Sequence, residues 1–390
     1  MTVTAAAGFS ANGVACGIKP SGDLDLSLVA TTDGRPVVAA AVFTQNKMTA
    51  APVVTTNAHL TLTAGQAAAV VLNSGCANAA TGQPGLGDAS AMCAEVAAAL
   101  GCTAEEVLVC STGLIGYRLP MHAIRGGIPT LVAGRTADAA GGHAAAEAIR
   151  TTDTHRKEVA VHGDGFTVGG MAKGAAMLAP DMATMLAVLT TDAAVAPDQL
   201  ASVLRAGVAE SFNAMSSDGC TSTNDTVILL ASGAAGPPAD PSAFAGAVAE
   251  ACFELASQMV GDAEGHTKVV TVTVAGALSD DDARTGARKV AESQLVKCSW
   301  YGQDPYWGRV ASELGSAGIG FEADKVSIRY GDLLVAEHGV TVDVAPEAIA
   351  AYMAHERLEV IAHLGLGDGV ARILTNDLTH AYVDENMGTS

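Results

Sequence analysis

The pair Ala183-Thr184, set in Pro180-Asp181-Met182-Ala183-Thr184-Met185-Leu186, has the makings of a bond that the chain cuts for itself. A threonine hydroxyl is a poor nucleophile unless a base stands next to it. Cleavage before Thr184 would free an α-amino group on the same residue, with an ordinary pKa of about 7.7–8.0. Such a base lies near the operating pH, whereas an unshifted lysine amine stays protonated. Ala183 is small on the departing side, and Met185-Leu186-Ala187-Val188-Leu189 would bury the new terminus in a strand. A strand-edge threonine in an apolar run has the same local pattern.

Other residues could serve such chemistry. Acyl transfer passes through a tetrahedral oxyanion, and Ser111-Thr112-Gly113 could supply donors to it: a hydroxyl beside a glycine whose backbone can approach closely. A plain strand-to-loop turn would read the same way. Lys173 precedes Gly174 on the approach to Thr184, where its ammonium could pair with a carboxylate or simply be solvated. Thr151-Thr152-Asp153-Thr154 is a polar cluster suited to a helix cap or a turn. Glu264 lies between Gly261 and Gly265, which suits a tight loop and is equally compatible with an exposed glutamate.

Alternating strand-like and helix-like segments must position these groups, so a mixed α and β protein is expected. Ala68-Ala69-Val70-Val71-Leu72 reads as a buried strand ending at Asn73-Ser74-Gly75, and Asp88 to Leu100 as an Ala-rich helix closed by Gly101. Thr103…Glu106 has the capping-box pattern, and Val107-Leu108-Val109-Cys110 reads as the strand that delivers Thr112. After Thr184 a strand to Leu189 is expected, then a helix from near Pro197 and a strand over Val227–Leu230. A long helix from Pro241 towards Val260 and an alternating strand over Val269–Val274 follow. Gly233-Ala234-Ala235-Gly236-Pro237-Pro238 reads as a loop within a domain. No repeat period is visible.

At 390 residues the chain has length for two or three domains. A formal net charge of −20 argues against nucleic-acid or anionic-membrane partners, which need basic surface, and is compatible with attracting cationic amino acids. Met1 to Gly8 shows neither the basic nor the apolar region of a signal peptide, and no uncharged apolar stretch is long enough to span a bilayer. The eight cysteines show no C-x-x-C pair or zinc spacing and read as reduced, mostly buried thiols. A soluble cytoplasmic protein is expected. Gly365-Leu366-Gly367-Asp368-Gly369 lacks dinucleotide spacing and precedes a β-like segment. His355-Glu356 has no histidine at the zincin distance, and the ten histidines form no evident metal cluster.

Met171-Ala172-Lys173-Gly174-Ala175-Ala176-Met177-Leu178-Ala179-Pro180-Asp181-Met182-Ala183-Thr184-Met185-Leu186 closely resembles the self-cleavage segment of the ornithine acetyltransferase family, the glutamate N-acetyltransferases of arginine biosynthesis. Further matches fall at Asn73-Ser74-Gly75, Ser111 to Gly116, Thr151 to Thr154, Ser222-Thr223-Asn224-Asp225-Thr226-Val227 and Ala263-Glu264-Gly265. Asp304-Pro305-Tyr306-Trp307-Gly308-Arg309 and Asn376-Asp377-Leu378-Thr379 complete the series, in the family's order and across nearly the whole chain. Tyr306 and Cys76 depart from the family's usual residues, and the tail is one residue short.

The resemblance implies a layered α/β, N-terminal-nucleophile-like fold, cleaved into chains 1–183 and 184–390 that stay together as an α2β2 assembly. It implies Thr184 as nucleophile, Thr112 and Gly113 as oxyanion hole, and a pocket lined by Thr151, Lys173, Glu264, Asn386 and a terminal hydroxyl, Ser390 or Thr389. An acetyl group would pass from N-acetylornithine to glutamate through acetyl-Thr184, with no metal or organic cofactor; some relatives also use acetyl-CoA. A self-processing hydrolase or aminopeptidase, using water as acceptor, and a non-catalytic amino-acid binder remain alternatives.

Overall fold

The computed structural model describes residues 2–178 and 185–388, which fall into two units. Ala183, Thr184, Thr389 and Ser390 lie outside the described residues.

The first unit, built of described residues within 2–213 and 220–262, contains two sheets. In one, the strands Phe9–Val14, Leu26–Thr31, Ala69–Asn73 and Val107–Ser111 lie side by side, the last pair parallel and the others antiparallel. Successive side chains point to opposite faces. Leu26, Leu28, Ala69, Val71, Val107 and Val109 therefore pack on the helices Gly82–Leu100 and Met121–Ala133. Val29, Val70, Leu72, Leu108 and Cys110 face the other way, against Met171, Leu186, Val188, Ile228 and Leu230 of the second sheet. Burial on both faces explains why these strands read as continuous apolar runs.

The second sheet has the order Gln66–Ala67, Val37–Phe43, Thr226–Gly236, Leu186–Ala193, Phe166–Lys173, Lys157–Gly163. Its far face carries the helices Pro197–Ala209 and Pro241–Val260. Helix, sheet, sheet and helix thus stack in four layers, the layered α/β class expected from the sequence.

The second unit, residues 214–219 and 263–388, is built on a seven-stranded mixed sheet with Val269–Ala277 between Gly369–Asn376 and Arg357–His363. Val270, Val272 and Val274 alternate into a core with Trp300 and Tyr330. The helix Asp280–Ala291 begins with Ser279 accepting the Asp282 amide and has Asp280, Asp281 and Asp282 in its first turn. Arg288 and Lys289 lie in its last turn, so both ends oppose the helix dipole.

Three expectations need correcting. The Ala-rich helix starts at Gly82, six positions earlier than Asp88, and its first turn packs so closely on the preceding loop that a Cβ at Gly85 would fall 1.8 Å from Thr81 Oγ1. The strand through Val227–Leu230 runs on to Gly236 with a register shift after Ala231, so the stretch expected as a loop is partly a bulged strand. Of the eight thiols only Cys76, Cys93, Cys110 and Cys252 are buried, Cys220 and Cys298 are exposed, and among the described residues none forms a disulfide. Among the described residues, no helix is long and apolar enough to cross a membrane.

Candidate active site

The parallel strands Ala69–Asn73 and Val107–Ser111 deliver two loops side by side. Ser111 Oγ donates to Asn73 Oδ1 at 2.6 Å, the Thr112 amide donates to Asn73 O at 2.9 Å, and Asn73 Nδ2 donates to Cys76 O at 2.8 Å. Gly113 follows at φ +124°, and a Cβ there would lie 2.3 Å from the Gly75 carbonyl carbon. Only glycine meets both demands. Thr112 is buried, and its Oγ1 accepts from Lys173 Nζ at 3.4 Å. Accepting through a lone pair leaves the hydroxyl proton to donate elsewhere. The turn expected to hold an oxyanion is therefore rigid, buried and close to a cation.

Lys173 closes the Phe166–Lys173 strand and is 2 % exposed, so it is not a surface lysine. Its ammonium lies 3.8 Å from Asp153 Oδ2. The same Oδ2 accepts the Thr151 amide at 3.1 Å, while Oδ1 accepts the Gly174 amide at 2.7 Å and Lys157 Nζ at 2.6 Å. Asp153 thus fixes both Thr151 and the end of the Lys173 strand. Burial would raise its pKa, but the Lys173 and Lys157 ammonium groups and the donors on it outweigh that and hold the carboxyl below the usual carboxylate range. Lys157, fully buried, also donates to Asp262 Oδ2 at 2.5 Å.

The segment Ser222 to Asp225 approaches the same turn from the second sheet. Asn224 Nδ2 donates to Ala77 O at 2.7 Å and to Ser111 O at 2.9 Å, tying the start of the Thr226–Gly236 strand to the Thr112 loop. A small cavity sets Thr112 and Gly113 opposite Thr223 and Asn224, with Ala77 and Met177 among its walls. Asp225 accepts the amide of Met185, the residue after Thr184, at 2.9 Å.

In the second unit Asn386 Nδ2 donates to Glu264 Oε2 at 2.8 Å, which brings together two residues expected in the pocket. Thr379 caps the short helix His380–Glu385, accepting the Tyr382 amide at 3.1 Å and donating to Gly265 O. Gly265, at φ +62°, leaves no room for a side chain: a Cβ would sit 2.2 Å from Tyr382 N. The Ala263-Glu264-Gly265 turn is shaped to receive this helix.

Asp153, Asn224 and Asp225 had no assigned role from the sequence, although each stands in a quoted motif. The available signal was a polar or acidic residue set directly against an apolar strand: Asp225 before Thr226-Val227-Ile228-Leu229-Leu230, and Asp153 ahead of the strand that begins at Lys157.

The chain matches the ArgJ family over residues 10–388. It is 49% identical to the arginine biosynthesis bifunctional protein ArgJ of Mycobacterium tuberculosis (strain ATCC 25618 / H37Rv), covering 100% of this chain and 96% of that protein. With the protein of the same description from Thermobifida fusca (strain YX) it is 46% identical over 100% of both chains. Among solved structures, the ornithine acetyltransferase of Mycobacterium tuberculosis complexed with ornithine is 51% identical, covering 46% of this chain and 94% of that one at a TM-score of 0.44. With matches that run from end to end of both partners, the chain belongs to the ArgJ family, the acetyltransferases of arginine biosynthesis.

Proposed function

We propose that this chain cuts itself between Ala183 and Thr184 and then moves an acetyl group from N-acetylornithine to glutamate. Thr184 Oγ attacks the Ala183 carbonyl, the acyl group shifts from nitrogen to oxygen, and water releases residues 1–183. The freed Thr184 amine then serves as base for its own hydroxyl. Thr184 Oγ takes the acetyl group, ornithine leaves, glutamate enters the same pocket, and N-acetylglutamate departs. Thr112 and Gly113 donate to the oxyanion of each step. Lys173 pairs with the α-carboxylate that both amino acids share, and Glu264 pairs with an ammonium. Thr151, Asn386 and Ser390 or Thr389 orient the substrate.

The observation that carries this reading is the turn at Thr112 and Gly113. It is shaped for glycine and backed by the buried Lys173 at 3.4 Å, and Asn224 joins its strand to the sheet that contains Leu186–Ala193. The Leu186–Ala193 strand pairs antiparallel with Phe166–Lys173 and parallel with Thr226–Gly236. A cut ahead of it leaves it held on both sides, which supports two chains that stay together. We place the protein in the cytoplasm as an α2β2 assembly that needs no added cofactor. Mass spectrometry of the purified protein is the test. Two chains, the second beginning at Thr184, are expected, with one intact inactive chain for Thr184→Ala. A single, fully active wild-type chain would refute the assignment. Supplying acetyl-CoA with glutamate in the same assay reads whether it is a second donor.

A further inference from the structure

We propose that Asp225 is a positioning residue for Thr184: its side chain fixes the amide that joins Thr184 to Met185. The inference rests on the reading of Thr184 as nucleophile. Met185 is held at both ends, since Asp225 Oδ1 accepts its N–H at 2.9 Å and the Thr226 amide donates to its carbonyl at 3.3 Å. Asp225 itself is immobilised. Its carbonyl accepts the Thr44 amide at 3.0 Å, and its neighbour Asn224 is tied to Ala77 and Ser111. One continuous set of bonds therefore runs from the oxyanion turn to the residue that follows the nucleophile.

A strand end needs no carboxyl to satisfy one amide; a backbone carbonyl or water does so without burying an ionisable group. Asp225 is nevertheless fully buried, and its Oδ2 makes no hydrogen bond among the described residues. An ionised oxygen in that position is costly, and protonation removes the buried charge. Burial pushes the acid well above the usual carboxylate range, although the Met185 amide, Ser222 and Lys173 each act to lower it. Lys173, at the end of the Phe166–Lys173 strand two places away in the sheet, is the charge acting on it, and Ser222 supplies a hydroxyl from its own segment. The neutral acid keeps an acceptor for Met185 on one oxygen and holds a proton on the other.

The test compares Asp225→Asn, Asp225→Ala and Asp225→Leu in the full chain, with Thr184→Ala in parallel. Processing is followed by mass spectrometry, and kcat, KM and the pH profile are measured on processed protein. Asn retains the acceptor and a donor in place of the acid proton. It should therefore process and turn over like the wild type, with an overlapping pH profile. Ala and Leu should lower kcat by about ten- to a hundredfold with KM unchanged, the span expected for a lost buried acceptor. Leu fills the side-chain volume, so it answers if Ala does not fold. Wild-type turnover in Ala or Leu, or Asn falling as far as they do, overturns the proposal. So does a loss of kcat that only tracks the loss of folded protein. If Thr184→Ala remains processed and active, the nucleophile assignment fails instead, whatever the Asp225 variants do.

Discussion

Lys173 Nζ donates to Thr112 Oγ1 across 3.4 Å, joining the last residue of one sheet's strand to the turn that follows a strand of the other. A cation at that position orients the hydroxyl by occupying a lone pair. It also adds positive potential where an oxyanion would form, in a buried setting that strengthens both effects. The contact gives one residue expected to bind substrate and one expected to stabilise the transition state a shared geometry.

Thr112→Ala should slow acetyl transfer by about 10²–10³, the usual consequence of removing one oxyanion donor. Steady-state kinetics on protein already cut before Thr184 isolates this from any slowing of self-cleavage. Unchanged turnover in folded, processed variant would remove Thr112 from the mechanism.

Asp153→Asn leaves Lys157 facing Asp262 alone and takes the nearby charge from Lys173. Breaking a buried pair in this way costs about 3–5 kcal/mol, readable by urea unfolding at neutral pH. The pH dependence has a definite sign. Asp153 is depressed in the folded state, so its contribution is complete above the unfolded value of about 3.9 and drains away as pH falls towards the folded one. The gap between wild type and variant should narrow on acidification below about pH 4. A gap that is constant down to pH 2 would mean that the carboxylate charge is not what stabilises the fold.

Lys297 in the second unit tests the opposite case. Burial lowers its amine to about 8, against the pull of Asp218, Asp377 and Glu292, and its Nζ donates to Thr375 Oγ1 at 3.0 Å. A folded value below the unfolded one of about 10.4 means that stability rises with pH between the two. Lys297→Met removes the titration, so its thermal stability should lose that rise over pH 8 to 10. Parallel pH dependence in the two proteins would show that Lys297 titrates normally.

Much of the first unit is legible in sequence because its strands are buried on both faces. Ala69-Val70-Val71-Leu72 and Val107-Leu108-Val109-Cys110 announce themselves as apolar runs, and Gly101 and Pro197 mark helix ends by their backbone limits. The Thr103…Glu106 capping box was visible too, and the Thr103 amide donates to Glu106 Oε2 at 2.8 Å. What sequence could not give is long-range. Asp153 earns its place through Lys157, Lys173 and Gly174, and Asn224 through Ala77 and Ser111, across separations that no local pattern records. Gly113 is similar: its neighbour Gly75 is close in space only because two parallel strands end at the same level.

The remaining prediction concerns the intermediate. A shared pocket and a single nucleophile imply a two-step exchange, whose kinetic mark is ping-pong behaviour. N-acetylornithine alone should release one equivalent of ornithine and add one acetyl mass to the chain beginning at Thr184. Glutamate should then remove that mass and yield N-acetylglutamate, while water does so slowly. The slow arm has a physical basis. Water lacks the α-carboxylate that Lys173 would hold, so it forfeits the effective concentration that positioning gives glutamate. Lys173→Met, which removes the ammonium and keeps an apolar stem, should therefore raise the KM for glutamate and, through the Thr112 hydroxyl that Lys173 orients, also slow hydrolysis of the acetyl-enzyme. Parallel double-reciprocal lines and a trapped acetyl chain are the expected pattern. Intersecting lines with no modified chain would mean direct transfer. Rapid loss of acetyl to water, indifferent to glutamate, would make the protein a hydrolase.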